Sequence, residues 1–169
     1  GVKSEVTAKE FFSIIADEVE RLIDRSDRIG FCFSYAAEIT SDRDGIPLVF
    51  SKEIKAPEVI GMPLGKSLLA ELASRGHDVR KKKVAVLNDT VATLLAGQGT
   101  PSDVPYSGYI GFILGTGTNT AYVESNKKIT KLSADPSKAQ IINIESGNFA
   151  YCPGPFDRKF FDSTKEPNQ

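Results

Sequence analysis

The 169-residue sequence contains no tryptophan, a single histidine (His77) and only two cysteines, Cys32 and Cys152. Two cysteines are too few for a disulfide framework or a zinc site, and there is no second histidine to share a metal ion with His77. We therefore expect no metal centre built from these side chains. Both cysteines lie in or beside apolar segments, which indicates buried thiols in a reducing compartment.

Neither an excess of one charge nor a long apolar run is present. The 21 Lys and Arg residues nearly balance the 22 Asp and Glu residues, and the net charge is −1. This balance argues against a nucleic-acid partner or a polybasic membrane patch. No apolar run approaches the ~18–20 residues of a membrane helix, and charged residues interrupt any apolar leader. The sequence therefore predicts a cytoplasmic protein without nucleic-acid or membrane partners.

Hydrophobic periodicity predicts a mixed α/β chain. In chain order the predicted elements are a helix at 8–25, strands at 29–35 and 48–54 forming one hairpin, a helix from Pro63 to Gly76, a strand at 84–87, a helix at 91–96, and strands at 109–114, 120–124 and 140–144. Thr7 and Glu10 have the spacing of a capping box at the start of the first helix. From Ser146 onward no periodic pattern occurs, and we expect loops.

The segment Asn88-Asp89-Thr90 is the first candidate site. It follows a predicted buried strand and precedes a helix, and a carboxylate at that end of a strand faces the crevice where open α/β sheets bind ligands. Asp89 is therefore a candidate general base. On spacing alone, the simpler explanation is that Asp89 or Thr90 only caps the helix.

Three further segments carry weaker signals. The segment 115–119, Gly-Thr-Gly-Thr-Asn, joins two strands, and its glycines can bring backbone amides and Thr hydroxyls close to phosphate oxygens. It lacks the lysine of a P-loop, so an ordinary tight turn explains it as well. Glu145, beside a glycine at a strand end, could accept hydrogen bonds from sugar hydroxyls. Ser51 and Lys52 are the fourth candidate, with a solvated surface lysine as the alternative.

Together, five short segments match the motifs of one enzyme family in the family's own order. They are Phe-Cys-Phe-Ser at 31–34, Phe-Ser-Lys at 50–52, Val-Ala-Val-Leu-Asn-Asp-Thr-Val-Ala-Thr at 84–93, Ile-Leu-Gly-Thr-Gly-Thr-Asn at 113–119 and Asn-Ile-Glu-Ser-Gly at 143–147. In these segments the chain resembles the hexokinase family, the ATP-dependent hexose kinases of the actin-like superfamily. Any one match is a weak signal, whereas five in order are specific.

The resemblance implies a role for each matching residue. Asp89 would accept the proton of the hexose 6-hydroxyl as that hydroxyl attacks the γ-phosphoryl group of ATP. The residues implied to hold sugar hydroxyls are Asn88, Asn119 and Glu145, with Ser34, Ser51 and Lys52 on the other lip of the cleft. Those implied to face the nucleotide phosphates are Gly115, Thr116, Gly117 and Thr118. ATP would be the cosubstrate, with Mg²⁺ carried by the nucleotide.

The resemblance also implies a partial fold. We expect an α/β structure, part of the actin-like (ribonuclease H-like) ATPase fold, with pieces of two lobes flanking a cleft. Residues 1–87 would be the later part of the small domain and 88–169 the first part of the large domain. The family's first phosphate loop and adenosine-binding segment have no counterpart here. We therefore expect a fragment that is inactive alone and self-associates through uncovered strand surfaces.

Two other functions stay open at this point. The protein could be a non-catalytic sugar-binding or sensing relative that keeps the cleft, or an interaction module that keeps only the fold. Asp89 favours the kinase, because a sensor has less need of a base beside the 6-hydroxyl.

Overall fold

The computed structural model describes residues 5–50, 54–115, 117–148 and 154–163. Its helices are α1 (Ala8–Val19), α2 (Leu64–Ser74), α3 (Asp89–Gly99) and α4 (Pro155–Ser163). Its strands are β1 (Arg28–Cys32), β2 (Ala37–Ile39), β3 (Gly45–Pro47), β4 (Lys83–Leu87), β5 (Ile110–Leu114), β6 (Thr118–Ser125) and β7 (Ala139–Asn143). No helix in these ranges is long and apolar enough to cross a membrane.

Helix α1 begins at the predicted capping box. Thr7 Oγ1 accepts from the Glu10 amide at 3.2 Å, and the Thr7 amide donates to Glu10 Oε2 at 3.0 Å. The backbone hydrogen bond from Thr7 lowers the pKa of the Glu10 carboxyl. The predicted helix over 8–25 changes form after Val19, because Glu20–Arg25 tightens into a 3₁₀ helix.

Strands β1 and β4 form a parallel pair, from Arg28 opposite Lys83 to Cys32 opposite Leu87. The prediction of a hairpin over 29–54 was therefore wrong. The hairpin that forms is shorter and joins β2 to β3, and residues 48–50 belong to no strand. The alternation of side chains along β1 does not indicate which strand pairs with it. The strand that does pair, β4, lies far along the chain. The rest of the predicted strand, 51–53, lies outside the described residues.

The buried-thiol prediction was wrong for Cys32, which is exposed. Along β1, Phe31 and Phe33 turn toward the apolar core, and Phe33 is only 6% exposed. Side chains alternate along a strand, so Cys32 faces away from that core. Cys152 lies outside the described residues.

A core of aromatic and aliphatic side chains packs α1 and α2 against the parallel pair of β1 and β4. Its fully buried members include Leu64, Leu68 and Leu72 of α2 and Val86 of β4. Phe33 and Phe50 pack edge to face, with ring centroids 5.8 Å apart. This core holds the end of β4, the point from which the chain enters α3.

The β2–β3 hairpin supplies the cap of α2. Pro63, the N-cap residue, has no side-chain acceptor, and the buried carboxylate of Asp44 takes that role. Its oxygens accept from the Gly65 amide at 2.6 Å and the Lys66 amide at 3.0 Å. A negative charge at this end also complements the helix dipole. The hairpin is thereby fixed against the helix that covers β4.

Strands β5, β6 and β7 form an antiparallel sheet in that order. Helix α3 lies against it, with Leu94 only 1% exposed and Thr90 fully buried. The contact is close at Gly111, where a Cβ atom would lie 2.5 Å from the Thr90 carbonyl oxygen. Helix α3 therefore links the end of the parallel pair to the antiparallel sheet of β5, β6 and β7.

The prediction of loops after Ser146 was wrong in part. Ser146–Asn148 forms a 3₁₀ turn, and Pro155–Ser163 forms α4. The signals for α4 are Pro155 at its first position and Asp157, whose Oδ2 accepts from the Gly154 amide at 2.7 Å. The helix is only nine residues long and buries no side chain, so no long apolar repeat marks it in the sequence.

Among the described strands, β5 lies at the edge of its sheet and has an exposed apolar face. The prediction of self-association depends on this strand. Ile110, Phe112 and Leu114 are 71%, 56% and 78% exposed. We expect the isolated 169-residue chain to form concentration-dependent oligomers in light scattering, because an uncharged edge strand can pair with another chain. Phe112→Lys should shift it toward the monomer. A chain that stays monomeric at high concentration would contradict this prediction.

Candidate active site

The carboxyl ends of β1 and β4 bring Ser34 and Asp89 together. The two strands run parallel, so their ends open at the same edge, as in the crevice of open α/β sheets. The Phe33 amide donates to the Leu87 carbonyl at 2.8 Å and extends this alignment by one residue. Ser34 Oγ then donates to Asp89 Oδ2 at 2.8 Å.

Asn88, rather than Asp89, is the N-cap of α3. Asn88 Oδ1 accepts from the Thr90 amide at 2.8 Å. Asp89 Oδ1 accepts from the same amide at 2.8 Å, while its Oδ2 reaches Ser34 on the other strand. Helix capping therefore explains the position of only one oxygen of the Asp89 carboxylate, because the other oxygen points toward the end of β1.

Three side chains form a hydrogen-bonded strand-end cluster, which we define as Asn119, Asn143 and Glu145. Asn119 Nδ2 donates to Asn143 Oδ1 at 2.7 Å, and Asn143 Nδ2 donates to Glu145 Oε1 at 2.6 Å. Asn119 Nδ2 also lies 3.3 Å from Glu145 Oε1. The β6–β7 register, with Ala121 opposite Asn143, places Asn119 and Asn143 on one face of the sheet, and Glu145 follows two residues after Asn143.

The backbone after β7 is folded back to hold Glu145 in place. Glu145 has φ 55°, a left-handed conformation that costs a non-glycine residue roughly 1–2 kcal/mol. At Gly147, a Cβ atom would lie 2.7 Å from the Thr118 carbonyl oxygen. The glycine of the Asn-Ile-Glu-Ser-Gly segment is thus needed for this close approach. Strained backbone of this kind is frequent at ligand-binding sites.

A pocket of about 380 Å³ lies between the parallel pair β1–β4 and the antiparallel sheet β5–β7. Its walls come from the segment after β1, the β2–β3 hairpin, the start of α3 and the end of β7. Among the predicted site residues, Asn88 and Glu145 line it, together with Asn143 of the strand-end cluster. Residues from both halves of the chain therefore meet in one cavity of a size that suits a small polar ligand.

In the glycine-containing segment 115–119, Gly115 and Gly117 lie between β5 and β6, and Thr118 and Asn119 are the first two residues of β6. The Gly115 amide donates to the Gly117 carbonyl at 2.9 Å, and Thr118 pairs with Leu114. The Gly115 amide is thus used to close the turn, and a phosphate would have to compete for it. Thr116, Ser51 and Lys52 lie outside the described residues, so their predicted roles stay predictions.

Sequence reasoning missed Asn143 as an individual site residue. It is the last residue of β7 and lies two positions before Glu145, inside the Asn-Ile-Glu-Ser-Gly segment. That spacing was the available signal. Among the described residues, no cluster of His, Cys, Asp or Glu could hold a metal ion.

Comparison with known proteins identifies the family. Sequence models described as hexokinase match residues 2–98 and 109–169. Hexokinase-7 of Oryza sativa subsp. japonica is 33% identical over 147 residues, which are 85% of this chain and 30% of that protein. Hexokinase-1 of the same organism is 38% identical over 138 residues, or 79% of this chain and 26% of that protein.

The structural similarity extends over most of the described fold. A hexokinase from Schistosoma mansoni, solved in complex with glucose, superimposes with a TM-score of 0.69 at 30% identity. The match covers 87% of this chain and 33% of that one. The α/β structure is therefore part of an actin-like ATPase fold, as predicted. The chain belongs to the hexokinase family, and it spans about a third or less of the length of these relatives.

Proposed function

We propose that the full-length protein containing this chain phosphorylates the 6-hydroxyl of a hexose such as glucose, with ATP as phosphoryl donor. The observation that carries the proposal is the position of Asp89, whose Oδ2 meets Ser34 Oγ at 2.8 Å where two parallel strands end. The glucose bound by the Schistosoma relative supports a hexose as the substrate. In this proposal residues 1–87 belong to the small domain and 88–169 to the large domain of a cytoplasmic enzyme.

In the proposed reaction, Asp89 accepts a proton. The 6-oxygen forms a bond to the γ-phosphorus, the bond from that phosphorus to the bridging oxygen breaks, and ADP leaves with the electron pair. The hydroxyl proton passes to the Asp89 carboxylate. Each carboxylate oxygen has two lone pairs, so the bonds from Ser34 and Thr90 leave room for the sugar hydroxyl. Phosphoryl transfer depends mainly on positioning and charge stabilisation, to which a well-oriented base adds.

The remaining predicted residues would bind the two substrates. Asn88 and Glu145 line the pocket between the sheets, and Asn119 is hydrogen-bonded to Glu145, which supports a role for all three in holding sugar hydroxyls. Ser34, Ser51 and Lys52 are assigned to the opposite lip by the resemblance. The residues assigned to the phosphates of ATP by the resemblance are Gly115, Thr116, Gly117 and Thr118, and ATP brings Mg²⁺ as part of the substrate.

The deciding experiment measures ADP release by the full-length protein. We expect release from ATP to require glucose, and to be lost in Asp89→Ala. Glucose binding is measured separately by calorimetry without ATP. Binding without any ADP release would support the sensing relative instead, and an absence of both would remove the sugar-kinase proposal.

A further inference from the structure

We infer that Asn143 is a positioning residue for sugar binding, an inference that rests on the proposed function. Its amide lies between the two side chains proposed to hold the sugar: Oδ1 accepts from Asn119 at 2.7 Å, and Nδ2 donates to Glu145 at 2.6 Å. Asn143 also lines the pocket between the sheets. The side chain therefore acts through its two neighbours.

The hydrogen-bonding capacity of the three groups allows one arrangement. A carboxylate only accepts, so the Nδ2 group of Asn143 must face Glu145 and its Oδ1 must face Asn119. Asn119 then presents its Nδ2 group to Asn143, while its Oδ1 accepts from the Thr120 amide at 2.7 Å. The orientation of each amide is thus determined by the carboxylate at the end of the series.

The arrangement leaves Glu145 prepared for a ligand. In the described part of the chain, both amide hydrogen bonds to its carboxylate fall on Oε1. Oε2 is therefore available to accept from a hydroxyl. The hydrogen bond from Asn143 Nδ2 at 2.6 Å holds the Glu145 carboxylate in one orientation. Holding a polar group in its binding orientation before the ligand arrives lowers the cost of ordering it.

Asn143→Asp and Asn143→Ala in the full-length protein test the inference. The first places a second carboxylate against Glu145, and the second removes the amide without adding charge. We expect either change to weaken glucose binding about 10- to 100-fold in calorimetry without ATP, the effect of a lost hydrogen bond to a charged group. The KM for ATP should change less than about twofold, because the cluster is assigned to the sugar.

A pH titration separates positioning from general damage. Two carboxyls in contact share a proton, so lowering the pH should protonate the pair in Asn143→Asp and restore a donor to Glu145. Glu145 is the titratable group that Asn143 contacts in the described ranges. Glucose affinity of this variant should therefore recover at low pH, whereas that of Asn143→Ala should not. Asn126→Asp is the matched control, because it removes an amide donor to the Asp135 carbonyl in the same hairpin.

The outcomes are distinguishable. If wild-type protein binds glucose and both Asn143 variants bind it within about twofold of wild type, the inference is wrong and the proposed function stands. The same holds if Asn126→Asp weakens glucose binding as much as they do. If Asn143→Asp does not fold, the affinity of Asn143→Ala decides the matter. If wild-type protein binds no glucose, the proposed function fails and this inference fails with it.

Discussion

Asp89→Asn is expected to lower the kcat of glucose phosphorylation by about 10²- to 10⁴-fold, the usual contribution of a general base. Asparagine keeps the shape of the side chain. Its Oδ1 can still accept from the Thr90 amide, and its Nδ2 can donate to Ser34 Oγ once that hydroxyl rotates. What it cannot do is accept the proton of the attacking hydroxyl. The loss should therefore appear in kcat, with glucose affinity changed less than about tenfold.

Two further variants of the full-length protein are compared with Asp89→Asn. Asp103→Asn makes the same chemical change in an exposed loop and should leave kcat unchanged. Ser34→Ala keeps the carboxylate but removes its orienting hydrogen bond, and we expect a kcat loss of about tenfold. If Asp89→Asn retained more than about a tenth of wild-type kcat, the assignment of Asp89 as the base would be wrong.

The parts of the fold that could be predicted are those with local causes. The capping box of Thr7 and Glu10, the stop of α2 near Gly76 and the presence of strand β4 each depend on residues a few positions apart. The pairing of β1 with β4 depends on a contact between strands separated by some fifty residues, and alternation within β1 does not encode it. The hairpin prediction was wrong for that reason.

The same distinction holds for the candidate site. The motifs placed Asp89, Asn119 and Glu145 at strand ends, where the structure also has them. The hydrogen bond from Ser34 to Asp89, and the order of donors in the strand-end cluster, follow from strand pairing and could not be predicted from spacing. A site assembled across two sheets becomes visible only when the register is known.

Gly111→Ala is expected to destabilise the protein by about 3 kcal/mol, the upper end of the usual cost of overpacking, and to lower kcat as well. An alanine Cβ would lie 2.5 Å from the Thr90 carbonyl oxygen and 2.9 Å from Leu94 Cβ. The nearer contact is with backbone, which no rotamer change can relieve, so α3 must move away from β5. Asp89 directly precedes Thr90, so this movement also displaces the proposed base.

The measurements are the Tm of the full-length protein and kcat at a temperature well below it, where the variant is still folded. Gly108→Ala is the matched control, because no heavy atom lies within 4 Å of a Cβ there. If Gly111→Ala kept the Tm and kcat of Gly108→Ala, the close approach of the Thr90 carbonyl to Gly111 would not set the distance between α3 and β5.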